Sequence, residues 1–126
     1  MLFRKSFNAK VVDTLIGEDT LFKGVLHAQK SLQIEGQFEG ELFAQGDVFI
    51  SEKSRVKAQI QAKDILISGE VIGNIQVQQS VYITKTGRVY GNISGLQLTI
   101  EEGGLYKGMV SMASLTVQGD STSGGL

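Results

Sequence analysis

One block of seven residues recurs six times along this chain of 126 residues, and it constrains the fold more than any other feature. The block reads apolar-x-Gly-x-apolar-x-small, and Ala58 replaces the glycine in one copy. The six copies begin at Phe22, Phe38, Val56, Val71, Val89 and Tyr106. Spacing inside the block is constant, whereas successive copies begin 16, 18, 15, 18 and 17 residues apart. Such self-similarity predicts a solenoid.

A second, shorter block of the form apolar-x-apolar follows each copy. Its six pairs are Leu32/Ile34, Val48/Ile50, Ile65/Ile67, Val81/Ile83, Leu98/Ile100 and Leu115/Val117. Alternation with a period of two residues is typical of β-strands that have one buried face. No such strand is stable alone, but stacked units bury a continuous core. The sequence therefore predicts an all-β parallel β-solenoid of about six turns.

The predicted register makes specific residues part of the core. We expect five aliphatic side chains to be fully buried in stacked rows: Ile60, Ile65, Ile75, Val81 and Ile93. The Gly/Ala row is expected to point inward, into a narrow interior. An antiparallel β-sandwich is the main alternative fold, but its strands do not repeat one pattern six times in register.

The chain divides into one repeat domain and two short tails. Residues 1–15 are predicted to be a flexible N-terminal tail, residues 16–119 the β-solenoid, and residues 120–126 a flexible polar tail. Ile16 is interpreted as the end of an incomplete turn, because its six-residue link to Phe22 matches the link from Ile50 to Val56.

The sequence indicates no catalytic, cofactor-binding or metal-binding residues. It contains no cysteine, which excludes disulfides and thiolate metal sites. The only histidine, His27, is expected at the surface. Gly103-Gly104 lacks the Lys-Ser/Thr of a phosphate loop, so no nucleotide is expected. A net charge of −1 makes nucleic acid an unfavourable partner.

The two ends of the predicted rod are candidate assembly surfaces. A solenoid normally carries polar caps, and the sequence offers no amphipathic helix at either end. Open ends expose core side chains and strand edges that template another copy. The predicted polymerisation residues are Ile16, Leu21, Phe22, Leu26, Leu105, Tyr106, Met109, Met112, Leu115 and Val117.

The extreme N-terminus combines apolar residues with two cations, which is typical of a membrane-surface anchor. The candidate membrane-binding residues are Met1, Leu2, Phe3, Arg4, Lys5 and Phe7. Alternatively, Leu2, Phe3 and Phe7 fold back and cap the open core of the first turn. No run approaches the ~20 apolar residues of a membrane span, and no secretory signal is evident. A cytoplasmic location is therefore expected.

Three segments resemble the bactofilins, the polymer-forming proteins of the bacterial cytoskeleton. These segments are GQFEGEL at 36–42, GEVIGNI at 69–75 and GRVYGNI at 87–93. The resemblance implies a right-handed β-helix of triangular cross-section that polymerises end to end without nucleotide. It also implies filaments without structural polarity at the inner face of the cytoplasmic membrane. There they scaffold client proteins that determine cell shape or cell organisation.

Two other classes of function remain as alternatives. A solenoid acyltransferase or lyase would need a catalytic constellation, and none is visible in the sequence. A monomeric β-solenoid that binds a protein or carbohydrate partner is compatible with the repeat. Electron microscopy separates this binding module from the filament subunit, because only the latter forms filaments.

Overall fold

A computed structural model describes residues 12–118, which form twelve strands and no helix. The strands are β1 Val12–Ile16, β2 Leu21–Ala28, β3 Ser31–Ile34, β4 Gln37–Ala44, β5 Asp47–Ile50, β6 Arg55–Ile67, β7 Glu70–Ile72, β8 Ile75–Ile83, β9 Arg88–Tyr90, β10 Ile93–Ile100, β11 Leu105–Lys107 and β12 Val110–Val117. Each pairing between them is parallel. The prediction of an all-β parallel solenoid with about six turns is confirmed.

The strands form three ladders that run along the rod and give it three faces. Face 1 contains the first residues of β2, β4 and β6, followed by β7, β9 and β11. Face 2 contains the later residues of β2 and β4, the middle of β6, and the starts of β8, β10 and β12. Face 3 contains β1, β3 and β5 and the final residues of β6, β8, β10 and β12.

Rows of aliphatic side chains fill the interior between the three faces. On face 3, one row consists of Ile16, Ile34, Ile50, Ile67, Ile83 and Ile100, each at most 7% exposed. The five side chains predicted to be fully buried are 1–2% exposed, which confirms the predicted register. Burial of each such side chain contributes about 1.5–3 kcal/mol.

The glycine row departs from the expectation, because it forms the corner between faces 1 and 2. Its five glycines have φ between 134° and 152°, a conformation that other residues rarely adopt. Gly24 and Gly40 are exposed at this corner, so the prediction that they point inward is wrong. A Cβ on Gly40 would lie 1.9 Å from the Gly24 carbonyl oxygen. Only Ala58 is buried in this row, within β6, which crosses the corner without a break.

Asparagine completes two of the corners at which the strand is interrupted. The Oδ1 atom of Asn74 accepts a hydrogen bond from the backbone N–H of Asn92, at 3.3 Å. The Oδ1 atom of Asn92 accepts in turn from the N–H of Met109, also at 3.3 Å. The recurrent Gly-Asn pair thus combines a glycine backbone conformation of positive φ with a side chain that accepts a hydrogen bond from a backbone N–H of the next turn.

The first strand begins earlier than the expected domain boundary at residue 16. β1 starts at Val12 and pairs with β3, with Leu15 opposite Gln33 and Ile16 opposite Ile34. The solenoid therefore includes Val12–Ile16, which the sequence assigned mainly to the tail. At the other end β12 stops at Val117, and residues 119–126 lie outside the described part of the chain.

Candidate assembly surfaces

The first end of the rod is the outer edge of β1 and β2. Within residues 12–118, each of these strands is paired on one side only. Phe22 and Leu26 are half-buried and pack against the core. The Phe22 ring stacks on Phe38, with the ring centroids 5.1 Å apart and an interplanar angle of 4°. Ile16 is 6% exposed, so it contributes little free apolar surface to this end.

The last end is the outer edge of β11 and β12, which in the described range also pair on one side only. Tyr106, Met112 and Val117 continue core rows and are half-buried, and Leu115 is 39% exposed. Val110 belongs to the same surface, although it is not among the residues predicted from the sequence. The signal that could have identified it is its position in the repeat, which is equivalent to that of the buried Ile93.

Three of the residues predicted at the ends lie on the sides of the rod. Leu21 and Leu105 continue the outward row of face 1 that contains Arg55 and Arg88. Met109 lies at the exposed corner between faces 1 and 2 and is 73% exposed. The expectation that Leu105 belongs to the terminal core is therefore wrong, because the alternation places it one residue before the inward Tyr106.

Tyr106 ends its core row with a hydrogen-bonded polar group. Its hydroxyl oxygen lies 2.8 Å from the carbonyl oxygen of Gly91 and 2.7 Å from that of Met109, and its single proton is donated to this pair of acceptors. Burial raises the pKa of the Tyr106 hydroxyl. The ring thus packs on the core while its tip holds the last corner, as expected for a half-buried tyrosine.

Face 1 is the charged face of the rod. Its outward residues are Leu21, Gln37, Arg55, Glu70, Arg88 and Leu105 in one row, and Lys23, Glu39, Lys57, Ile72, Tyr90 and Lys107 in the other. Arg55 Nε lies 3.0 Å from Glu70 Oε1. Because the Arg55 side chain is 62% exposed, this pair contributes little to stability.

Face 2 is rich in amides and hydroxyls and poor in charge. Its central outward row is His27, Phe43, Gln61, Gln76, Ser94 and Ser111. His27 stacks on Phe43 with ring centroids 4.9 Å apart. Two open clefts of about 490 and 760 Å³ lie along this face, and both include Phe43, Gln61 and Gln76 in their walls.

Face 3 carries an apolar stripe at its centre. The outward row along this face is Leu15, Gln33, Phe49, Leu66, Tyr82, Thr99 and Thr116. Its middle members Phe49, Leu66 and Tyr82, hereafter the face 3 stripe, are half-buried and adjacent in three successive turns. The sequence pattern did not identify them, because the repeat is defined by the inward residues on either side.

Carboxylates lie along both margins of face 3. Asp47 is opposite Asp64 in the ladder, and Asp64 Oδ1 accepts hydrogen bonds from the N–H and hydroxyl groups of Ser80 at 2.9 and 2.7 Å. Burial and the neighbouring Asp64 carboxylate raise the pKa of Asp47, against the opposing effect of Lys63. On the other margin, the Tyr82 hydroxyl donates to Glu101 Oε2 at 2.6 Å, and this bond raises the pKa of Tyr82.

The candidate membrane-binding residues Met1 to Phe7 lie outside the described residues. Between residues 12 and 118 there is no helix long and apolar enough to cross a membrane. The same range contains no group of three or more His, Cys, Asp or Glu side chains arranged to hold a metal ion.

Comparison with known proteins decides the family. A family model described as "Bactofilin: Polymer-forming cytoskeletal" matches residues 14–111, which is most of the chain. The chain belongs to the bactofilins. It is 32% identical over 110 residues to bactofilin BacP of Myxococcus xanthus strain DK1622, covering 87% of this chain and 46% of that relative. The chain thus spans about half the length of this bactofilin.

A solved bactofilin structure supports the same fold. The chain is similar to the subunit in a cryo-EM reconstruction of Thermus thermophilus bactofilin double helical filaments, with a TM-score of 0.75 and 27% identity. The match covers 79% of this chain and 98% of that subunit. This bactofilin therefore shares its β-solenoid with a subunit that was imaged in filaments.

Proposed function

We propose that this bactofilin is a structural subunit that polymerises end to end, without nucleotide or metal, and that it is not an enzyme. The proposal rests on the exposed core side chains and strand edges at the two ends of the rod. Both ends present half-buried core residues beside strands that, among residues 12–118, are paired on one side only. Such edges favour the addition of another parallel or antiparallel strand layer.

The chemistry of the ends is sufficient for a stable joint. Phe22 and Leu26 at one end, and Val110, Leu115 and Val117 at the other, continue rows whose members one turn further in are buried. Complete burial contributes up to about 1.5–3 kcal/mol for each large side chain. Part of this gain offsets the loss of rotational and translational freedom on association.

The membrane is the proposed site of the filaments. We place them in the cytoplasm, peripheral to the inner face of the cell membrane, with residues 1–7 as the contact. Leu2 and Phe3 supply apolar area, while Arg4 and Lys5 are each worth about 1 kcal/mol near anionic lipid. A filament repeats this weak contact along its length, and avidity makes the attachment firm.

Client proteins and lateral assembly complete the proposal. The filament is expected to scaffold proteins of cell shape or cell organisation, although this chain spans only 46% of its relative BacP.

The Thermus thermophilus bactofilin forms double helical filaments. We extend that arrangement to this chain and propose that two of its filaments pair side by side.

Electron microscopy of the purified protein tests the polymer. Filaments should appear in buffer that contains EDTA and no nucleotide, and their yield should not change when ATP or GTP is added with magnesium. Discrete particles under all of these conditions, or filaments that require nucleotide, would contradict the proposal.

A binding module is the second candidate function, and the clefts of face 2 favour it. Aligned amides and hydroxyls beside the stacked His27 and Phe43 rings suit a neutral polar ligand such as a carbohydrate or an extended peptide. In that case the protein would remain a single rod, and Phe43→Ala would abolish ligand binding without affecting the oligomeric state.

A further inference from the structure

We propose that the face 3 stripe is the surface through which two filaments of this protein pair, so that its occupant is a second copy of the same chain. This inference rests on the proposed end-to-end polymer and names the face that its lateral contact uses. The stripe consists of Phe49, Leu66 and Tyr82, which lie side by side in three successive turns.

The outward composition of the three faces distinguishes face 3 from the others. Face 1 carries charges in most of its outward positions, and their contact with a second rod would require desolvation of many ions. The middle of face 2 presents the polar side chains of Gln61, Gln76 and Ser94, of which the two glutamines are exposed. Face 3 alone, among the described faces, places three consecutive large apolar or aromatic side chains outward at mid-rod.

The position of the stripe makes it self-complementary. Leu66 is the fourth of the seven residues in the outward row of face 3, so it lies at the row's midpoint. A two-fold axis through Leu66, perpendicular to the rod, sets Leu66 against Leu66 of the second copy. The same axis sets Phe49 against Tyr82 of the second copy, and Tyr82 against Phe49. An isologous contact between identical chains needs this kind of symmetric patch.

The surroundings of the stripe resemble the rim of a small interface. Gln33 and Thr99 follow it in the two directions along the row, so an apolar centre is bordered by polar residues. Three side chains per copy bury far less than the ~1,200 Å² of total surface typical of a specific complex between single proteins. Single rods are therefore not expected to dimerise, whereas aligned filaments add the contact at every subunit.

Charge on the margins gives the pairing a salt dependence. Asp47 and Asp64 lie along one margin of the stripe, and Glu35 and Glu101 lie along the other. Lys63, which follows face 2 at the adjacent corner, offsets part of this charge. Two copies of an acidic face repel each other, and added salt screens the repulsion. Paired filaments should accordingly become more frequent as the ionic strength rises.

A matched pair of variants in β6 tests the inference. Leu66→Lys places a charge in the stripe, and Gln61→Lys places the same charge on face 2, five residues earlier in the same strand. Negative-stain and cryo-electron microscopy would score the fraction of filament length that is paired. We expect paired filaments for the wild type and Gln61→Lys, and single filaments of normal length for Leu66→Lys.

Mixing two stripe variants adds a test that does not depend on loss of function. Leu66→Glu filaments should also be single, and mixing preformed Leu66→Glu and Leu66→Lys filaments should restore pairing if these residues face each other. Failure of the mixture to pair would overturn the two-fold arrangement. Paired Leu66→Lys filaments would overturn the whole inference.

The outcomes also separate this inference from the function on which it rests. If the wild type forms filaments that are single at all salt concentrations, the lateral contact is refuted and the end-to-end polymer stands. If the wild type forms no filaments, the proposed function itself fails.

Thermal unfolding of the purified variants verifies that each retains the solenoid, since surface substitutions in an intact fold usually change stability by about 0.5 kcal/mol or less.

Discussion

Leu115 stacks on Leu98 in a core row, whereas its neighbour Thr116 lies beside Thr99 on the outside of face 3. Leu98 is fully buried, and Leu115 is 39% exposed because it belongs to the last turn of the described rod. Two adjacent residues of β12 thus belong to different surfaces, Leu115 to the open end of the core and Thr116 to the side of the rod. Substitutions at Leu115 and Thr116 therefore allow the end-to-end model to be tested.

Leu115→Arg is expected to block filament growth, and Thr116→Arg is not. An arginine in the terminal core row would place an unpaired charge inside each joint, at a cost of several kcal/mol. The same cation at position 116 stays in solvent. Sedimentation of the two proteins measures the difference, with Phe22→Arg as a second end variant at the other end. Recovery of Leu115→Arg in the filament pellet at wild-type yield would refute end-to-end growth through this surface.

The buried rows predict where stability resides. Ile75→Ala removes a side chain that is 1% exposed and should lower the free energy of unfolding by about 2–4 kcal/mol. Gln76→Ala, one residue later on the exposed side of β8, should change it by less than about 0.5 kcal/mol. Urea unfolding followed by circular dichroism compares them. Equal losses in the two variants would show that the register is incorrect.

The corner glycines should tolerate substitution poorly. In Gly40→Ala the new Cβ would meet the Gly24 carbonyl oxygen, and φ at this position is 134°. We expect a loss of at least about 1–3 kcal/mol from the backbone conformation alone. Gly17→Ala is the control, because the new Cβ would have only ordinary contact there, with the Thr20 hydroxyl oxygen 3.9 Å away. Thermal unfolding should separate the two variants clearly, and similar midpoints would contradict the close approach of the corners.

The Asp47–Asp64 pair predicts a direction for the pH dependence of stability. Burial and the Asp64 carboxylate raise the pKa of Asp47 in the folded protein above its ordinary value of 3.8. The folded state therefore holds this proton more tightly than the unfolded state. The contribution of Asp47 is favourable at low pH and is lost as the pH rises through the raised pKa.

Above the raised pKa, the charged Asp47 carboxylate is less favourable in the folded protein than in the unfolded chain, so replacement of Asp47 by asparagine should remove an unfavourable contribution at neutral pH. Asp47→Asn is expected to be slightly more stable than the wild type at pH 7, and the difference should shrink as the pH is lowered toward 4. Urea unfolding at a series of pH values provides the measurement. A variant that is less stable than the wild type at neutral pH would indicate that the carboxylate is favourable where it stands.

The N-terminal segment is tested by deletion of residues 2–7. If these residues anchor the filament, the shortened protein should still polymerise but no longer co-sediment with anionic liposomes at low salt. If they cap the first turn instead, the deletion should alter stability or assembly and leave liposome binding unchanged. Neutral liposomes serve as the control, because Arg4 and Lys5 require anionic lipid for their contribution.

The sequence alone determined the repeat, the parallel solenoid and the buried rows. Ile60, Ile65 and Ile75 could be assigned to the core because the spacing inside each block never changes, and alternation then defines which side chains point inward. The same alternation placed Leu105 outside, one residue before Tyr106, but its apolar side chain suggested the core. At position 105 the apolar residue type gave the wrong prediction, whereas the position within the repeat indicates the correct, outward orientation.

Only the tertiary structure decided how the corners turn and which outward residues become neighbours. Whether Gly40 lies in the core or at a corner depends on the backbone conformation needed to close each turn, which a pattern of apolar residues does not encode. Phe49, Leu66 and Tyr82 are 16 or 17 residues apart in the chain, with intervals that vary from turn to turn. They form one stripe because parallel strand pairing sets their register, and that pairing arises from closure of the whole solenoid.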